Sequence, residues 1–103
     1  MSGQMSFADF KNSIATDAAP PAQLGKVLAA LWRDQRGEWD AAHTLAQEDS
    51  GKEGAWVHAY LHRKEGDAPN AAYWYRLAGR PVASDSLTAE WEQIAKTLLA
   101  CGK

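Results

Sequence analysis

Two turns built on one plan divide the middle of this chain and leave it few ways to fold. Gly37-Glu38-Trp39-Asp40-Ala41-Ala42 and Gly66-Asp67-Ala68-Pro69-Asn70-Ala71 each run glycine, acid and, four residues after the acid, alanine, at an offset of 29 residues. A glycine of this kind closes one helix in the left-handed region that side chains avoid, and the acid behind it caps the next. The chain therefore reads as two helical hairpins in tandem.

The flanking periodicity agrees. Over 21–35, Leu24, Val27, Leu28, Leu31 and Trp32 form an apolar stripe with Lys26 and Arg33 opposite, and over 38–48, Trp39, Ala42, His43 and Ala46 share a side. Ser50 and Glu53 have the spacing of a capping box for a helix over 54–65, whose apolar side carries Trp56, Val57, Tyr60 and Leu61. His58, His62 and Glu65 fall about a quarter turn from that side. Asp67 caps a further helix bearing Ala71, Trp74, Tyr75 and Ala78, which Gly79 and Pro81 stop.

Outside the hairpins, Phe7, Phe10 and Ile14 mark a short helix led by Ser6 and Asp9, and Pro20-Pro21 interrupts the chain. A last amphipathic helix carries Leu87, Trp91, Ile94, Leu98 and Leu99. The expected architecture is one all-α domain over 1–103: an N-terminal segment 1–20, hairpins at 21–48 and 54–80, and a C-terminal helix at 86–100. The two outer helices are expected to cover opposite ends, with Trp91 on the second hairpin. No run alternates in the way a strand requires.

Composition narrows the function. Five tryptophans and an apolar fraction of 46% demand a packed core, and a net charge of −2 disfavours nucleic acid as a partner. The one cysteine, Cys101, cannot form an internal disulfide and reads as a free thiol near the terminus. With no signal-peptide pattern and no apolar run long enough for a bilayer, the expected location is cytoplasmic, away from membranes.

Gly66, Asp67, Ala71, Tyr75 and Ala78 stand at the spacing of the hairpin glycine, acidic cap, inner alanine, aromatic and closing alanine of tetratricopeptide repeats, so the stretch from Leu24 to Pro81 resembles that family. The resemblance implies stacked helical hairpins that bind a protein or peptide. It departs from the family in its 29-residue offset, shorter than the usual ~34, and in Ala46, which stands where the first unit's aromatic would fall. The run from Trp56 to Gly79 also resembles a group of small bacterial proteins of unassigned function, which brings no chemistry with it.

Two constellations are candidates for a site. Tyr60, Arg63, Tyr73, Trp74, Arg76 and Arg80 combine the aromatic and guanidinium groups that anchor interfaces; their alternative role is core packing and neutralisation of helix C-termini. His58 and His62, four apart, have the spacing of two ligands on one ion, with His43 as a third and Gln47 beside it. The alternative is a core His43 and a solvated or hydrogen-bonded His58–His62 flank. Ala59 stands where a zinc protease carries its glutamate, so that chemistry is not expected. Asp34, Glu38 and Asp40 read as a solvated acidic turn, and no phosphate loop, nucleophile elbow or calcium loop is present.

The leading expectation is thus a non-enzymatic adaptor module for a protein or peptide partner, with no cofactor. Beside it stand a small enzyme or sensor with a histidine-lined pocket for a metal or an anionic ligand, and a homodimer formed through the C-terminal helix.

Overall fold

The computed structural model describes residues 5–22 and 24–100, so Cys101 lies outside the described residues. Within them the protein is all-α, with α1 Phe7–Thr16, α2 Lys26–Gln35, α3 Trp39–Gln47, α4 Lys52–Glu65, α5 Ala68–Ala78 and α6 Leu87–Ala100, and no strand. No helix among the described residues is long and apolar enough to cross a membrane.

The helix starts follow side-chain chemistry at three places. Ser6 Oγ accepts from the Asp9 amide at 3.0 Å, Asp67 Oδ1 from the Asn70 amide at 3.3 Å, and Ser86 Oγ from the Ala89 amide at 3.0 Å. Two starts differ from expectation. The helix read as beginning at residue 21 begins at Lys26: the Pro21 carbonyl is spent on a turn to the Leu24 amide, and Gly25 enters the helix from an extended backbone. The Ser50–Glu53 box does not form either. Asp49 Oδ1 takes the Gly51 amide at 2.8 Å, Gly51 becomes the cap, and α4 starts two residues early.

The matched turns are present. Gly37 and Gly66 have φ of 79° and 91°. In each turn the glycine amide donates to the carbonyl three residues back, and the next amide, Glu38 or Asp67, donates five back, to Arg33 or His62. This closure satisfies helix carbonyls that would otherwise lack donors.

Consecutive helices α2 and α3 pack together, as do α4 and α5, and α4 also meets α2, α3 and α6. Every residue from Gly54 to His62 is consequently buried. The outer helices do not cover opposite ends. Trp91 of α6 places its ring on Phe10 at 5.8 Å and Phe7 at 6.1 Å, and its Nε1–H donates to the Leu31 carbonyl at 3.1 Å. Trp91 thus joins α6 to α1 and α2. Its ring stacks on Phe10 because the apolar stripe of α1 needs a partner, and α6 supplies the nearest one.

Candidate functional site

The three histidines come together. His43 projects from α3, His58 and His62 from successive turns of α4, and one ring nitrogen from each lies within 4.8 Å of the other two. The His43 ring stands nearly perpendicular to His58 at 4.5 Å between centroids and to His62 at 5.2 Å, while His58 and His62 stack at 4.8 Å. The assignment of burial is the reverse of the bland expectation: His58 and His62 are buried, and His43 is half-buried.

Two indoles hold these rings. Trp74 of α5 lies flat on His58 at 3.8 Å, and Trp39 of α3 lies flat on His43 at 4.9 Å and edge-on to His62. Trp39 is itself fixed by its Nε1–H, which donates to the Leu61 carbonyl at 3.0 Å. His62 Nδ1 sits 3.4 Å from Glu65 Oε2, one turn on. Among the described residues His43 and His58 have no hydrogen-bond partner. Every enclosed polar side-chain atom among them does have one, so the nitrogens of His58 reach solvent. They do so beside a groove of ≈ 400 Å³ that His58 and Trp74 line with Gln47, Ser50, Lys52 and Leu77.

Burial favours the neutral form of His58 and His43. Burial, followed by the proximity of His43 and His62, pushes His58 down to about 4; burial and then His62 also lower His43. Neutral imidazoles present lone pairs, which is the form that ligates metals and accepts hydrogen bonds.

The aromatic and basic residues do not form one patch. Tyr60 is buried, and its hydroxyl donates to Asp34 Oδ2 at 2.8 Å. Arg63 is engaged by Glu90 Oε1 at 2.7 Å and by the Asp85 carbonyl. Arg80 lies over the Trp56 ring at 3.7 Å, and Trp74 serves His58. Tyr73 and Arg76 are left exposed on α5, with Leu77. Gln47 is exposed at the groove, outside the imidazole cluster.

Sequence reasoning missed Asp34, Glu65 and Glu90. Asp34, read as part of a solvated turn, is 2% exposed because Tyr60 and Lys64, whose Nζ lies 2.8 Å from Oδ1, reach it from α4. Glu90 is buried in the same way between Arg63 and Tyr75. The signal for Glu65 was present in its i, i+3 spacing from His62. Nothing local marked Asp34 or Glu90, whose partners are 15 to 30 residues away.

Compared with known proteins, the chain matches no family model, no curated protein and no solved structure. The likeness to tetratricopeptide repeats thus stands on the glycine-led spacing alone.

Proposed function

We propose that this protein is a small-ligand binding module, a sensor or carrier, whose site is the imidazole pocket between the α2/α3 and α4/α5 pairs. One observation carries the reading: three imidazoles from two helix pairs face one another, and two of them have no hydrogen-bond partner among the described residues. Histidines serving only the core normally satisfy their nitrogens on backbone or side chains. Two indoles locking the ring planes are the support that a preorganised site needs.

Thermal unfolding against a panel of zinc chloride, nickel chloride, sodium phosphate and sodium acetate tests it. At least one component should raise the midpoint of the wild-type protein and not of His43→Ala, since a ligand that binds only the folded state stabilises it. Shifts that are absent throughout, or equal in both proteins, sink the reading.

A second reading is favoured by α5, where Tyr73 and Leu77, four residues apart, are 50% and 46% exposed beside Arg76. A protein partner or second copy would dock on this face. The α6 stripe is less suited to self-association, because Trp91, Ile94, Ala95, Leu98 and Leu99 are already buried within the chain. Light scattering over a concentration series, repeated with Tyr73→Ser and Leu77→Ser together, distinguishes a second copy from a monomer.

A further inference from the structure

We propose that the ligand of this pocket is a zinc-class divalent transition-metal ion, bound by His43, His58 and His62, with Glu65 positioning His62 and a fourth coordination position left for an exogenous ligand. The proposal rests on the pocket reading above and names what fills it.

The donor set decides the class. Three imidazole nitrogens with no carboxylate or thiolate among them suit zinc, copper or nickel, whereas calcium and magnesium require oxygen. Distances come next. Metal–nitrogen bonds of ~2.0–2.1 Å in a tetrahedron place the nitrogens about 3.3 Å apart. The three here already lie within 4.8 Å of one another, so binding has to draw them together by about 1.5 Å at most. Two ligands sit on adjacent turns of one helix, so their backbone spacing is set before any ion arrives. The third comes from a half-buried residue on α3, so binding would staple one helix pair to the other.

Glu65 supplies the remaining piece of chemistry. An imidazole that donates its Nδ1 proton to a carboxylate presents its lone pair at Nε2 and becomes a stronger donor. His62 Nδ1 lies 3.4 Å from Glu65 Oε2, which commits Nε2 to the cluster. Trp74 and Trp39 do for the planes of His58 and His43 what the carboxylate does for the tautomer of His62. Three protein ligands leave a tetrahedral ion one position, which water or a small anion takes. His58 borders the groove, giving such a ligand a route from solvent.

A competing set exists one turn away, where His62, Glu65 and Asp67 also bring donor atoms within 4.8 Å. Glu65 there is exposed and Asp67 only half-buried, whereas His58 and His62 are buried, and choosing it would cost His62 its positioning partner. Variants separate the two. Removal of His43 or His58 should abolish the proposed site and spare the competitor, while Asp67→Asn should do the opposite.

The experiment is titration calorimetry of zinc chloride into chelator-stripped protein carrying no affinity tag. One equivalent should bind, His43→Ala and His58→Ala should lose it, and Asp67→Asn should retain it. Glu65→Gln should keep the stoichiometry and weaken affinity by roughly 10- to 100-fold, as for other carboxylates behind metal-bound histidines. Nitrogen-15 spectra of the metal-free protein supply the readout that a merely structural Glu65 would not move: His62 should be the Nδ1–H tautomer in wild type and lose that bias in Glu65→Gln. Should the histidine variants fail to fold, cobalt chloride added to the wild type replaces them, with strong visible bands of a tetrahedral nitrogen site expected. No zinc binding, retention in both histidine variants, or only the weak spectrum of octahedral cobalt overturns the proposal. If zinc fails while phosphate or acetate still gives a His43-dependent thermal shift, the metal assignment falls and the pocket reading stands; if all fail, both fall.

Discussion

Asp34 is a carboxylate with almost no contact with water, and it survives there because two donors from α4 meet its two oxygens: the Tyr60 hydroxyl at 2.8 Å and Lys64 Nζ at 2.8 Å. Lys64 keeps about a third of its side chain exposed and can return to water, so the tyrosine is the partner that matters more. Tyr60→Phe is expected to cost about 1.5–3 kcal/mol in urea unfolding, the range for a hydrogen bond to a charged group. A loss below roughly 0.5 kcal/mol would show that Asp34 finds another donor on its own. Gly54 poses a steric problem instead. A Cβ added there meets the Asp49 carbonyl oxygen at 2.4 Å and Asp49 Cβ at 2.7 Å. Alanine gains helix propensity of about 1 kcal/mol, yet the obstacle is partly backbone and cannot swing away. Gly54→Ala should therefore be net destabilising by about 1–3 kcal/mol, and an unchanged midpoint would refute the close approach.

Between elements, the same acid, tyrosine and cation arrangement occurs again. Glu90 of α6 receives the Tyr75 hydroxyl from α5 at 2.5 Å and Arg63 from α4 at 2.7 Å, tying three helices at one buried carboxylate. Its loss leaves a buried hydroxyl and a partly buried guanidinium unpaired. Breaking a buried pair costs roughly 3–5 kcal/mol, and Arg63 at 22% exposure places Glu90→Ala in the lower half of that range. Hydrogen exchange should show protection falling first over 87–100; a uniform fall along the chain would mean that Glu90 does not anchor α6 in particular. These ties also explain what could be read in advance. The all-α class and the turns at Gly37, Gly66 and Gly79 follow from local backbone chemistry, which spacing alone reports. The centrality of α4 does not. A helical wheel assigns it one apolar side, yet Gly54, Ala55 and Ala59 let neighbours approach from others, so His58 and His62 end up buried where a solvated or hydrogen-bonded flank was expected. The histidine spacing nominated three residues whose rings do meet, and their convergence needed the packing of α3 on α4.

For the molecule as a whole, the titrating groups predict a bounded range of greatest stability for the metal-free protein. On the acid side the governing group is His58, held at about 4 in the fold against 6.5 in the unfolded chain, with His43 lowered in the same direction. A histidine whose folded value is depressed binds its proton more readily when unfolded. Its contribution is therefore complete above pH 6.5, lost as pH falls from there to about 4, and constant below. The difference of 6.5 − 4 corresponds to roughly 3 kcal/mol at full effect. On the alkaline side the sign reverses. Tyr60 and Tyr75 are raised above the ordinary 10, by burial first and then by Asp34 and Glu90 respectively, so their contribution is present below pH 10 and lost above it as the unfolded phenols ionise. The measurement is a difference between two proteins: urea unfolding of wild type and His58→Gln at pH 7.5 and 4.5, in the presence of chelator. Wild type should lose more stability over this interval than the variant, by about 1–3 kcal/mol. Equal losses would mean that the His58 proton is not excluded from the fold. Zinc at pH 7.5 should widen the contrast further, because an ion held by neutral imidazoles competes directly with the protons that unfold them.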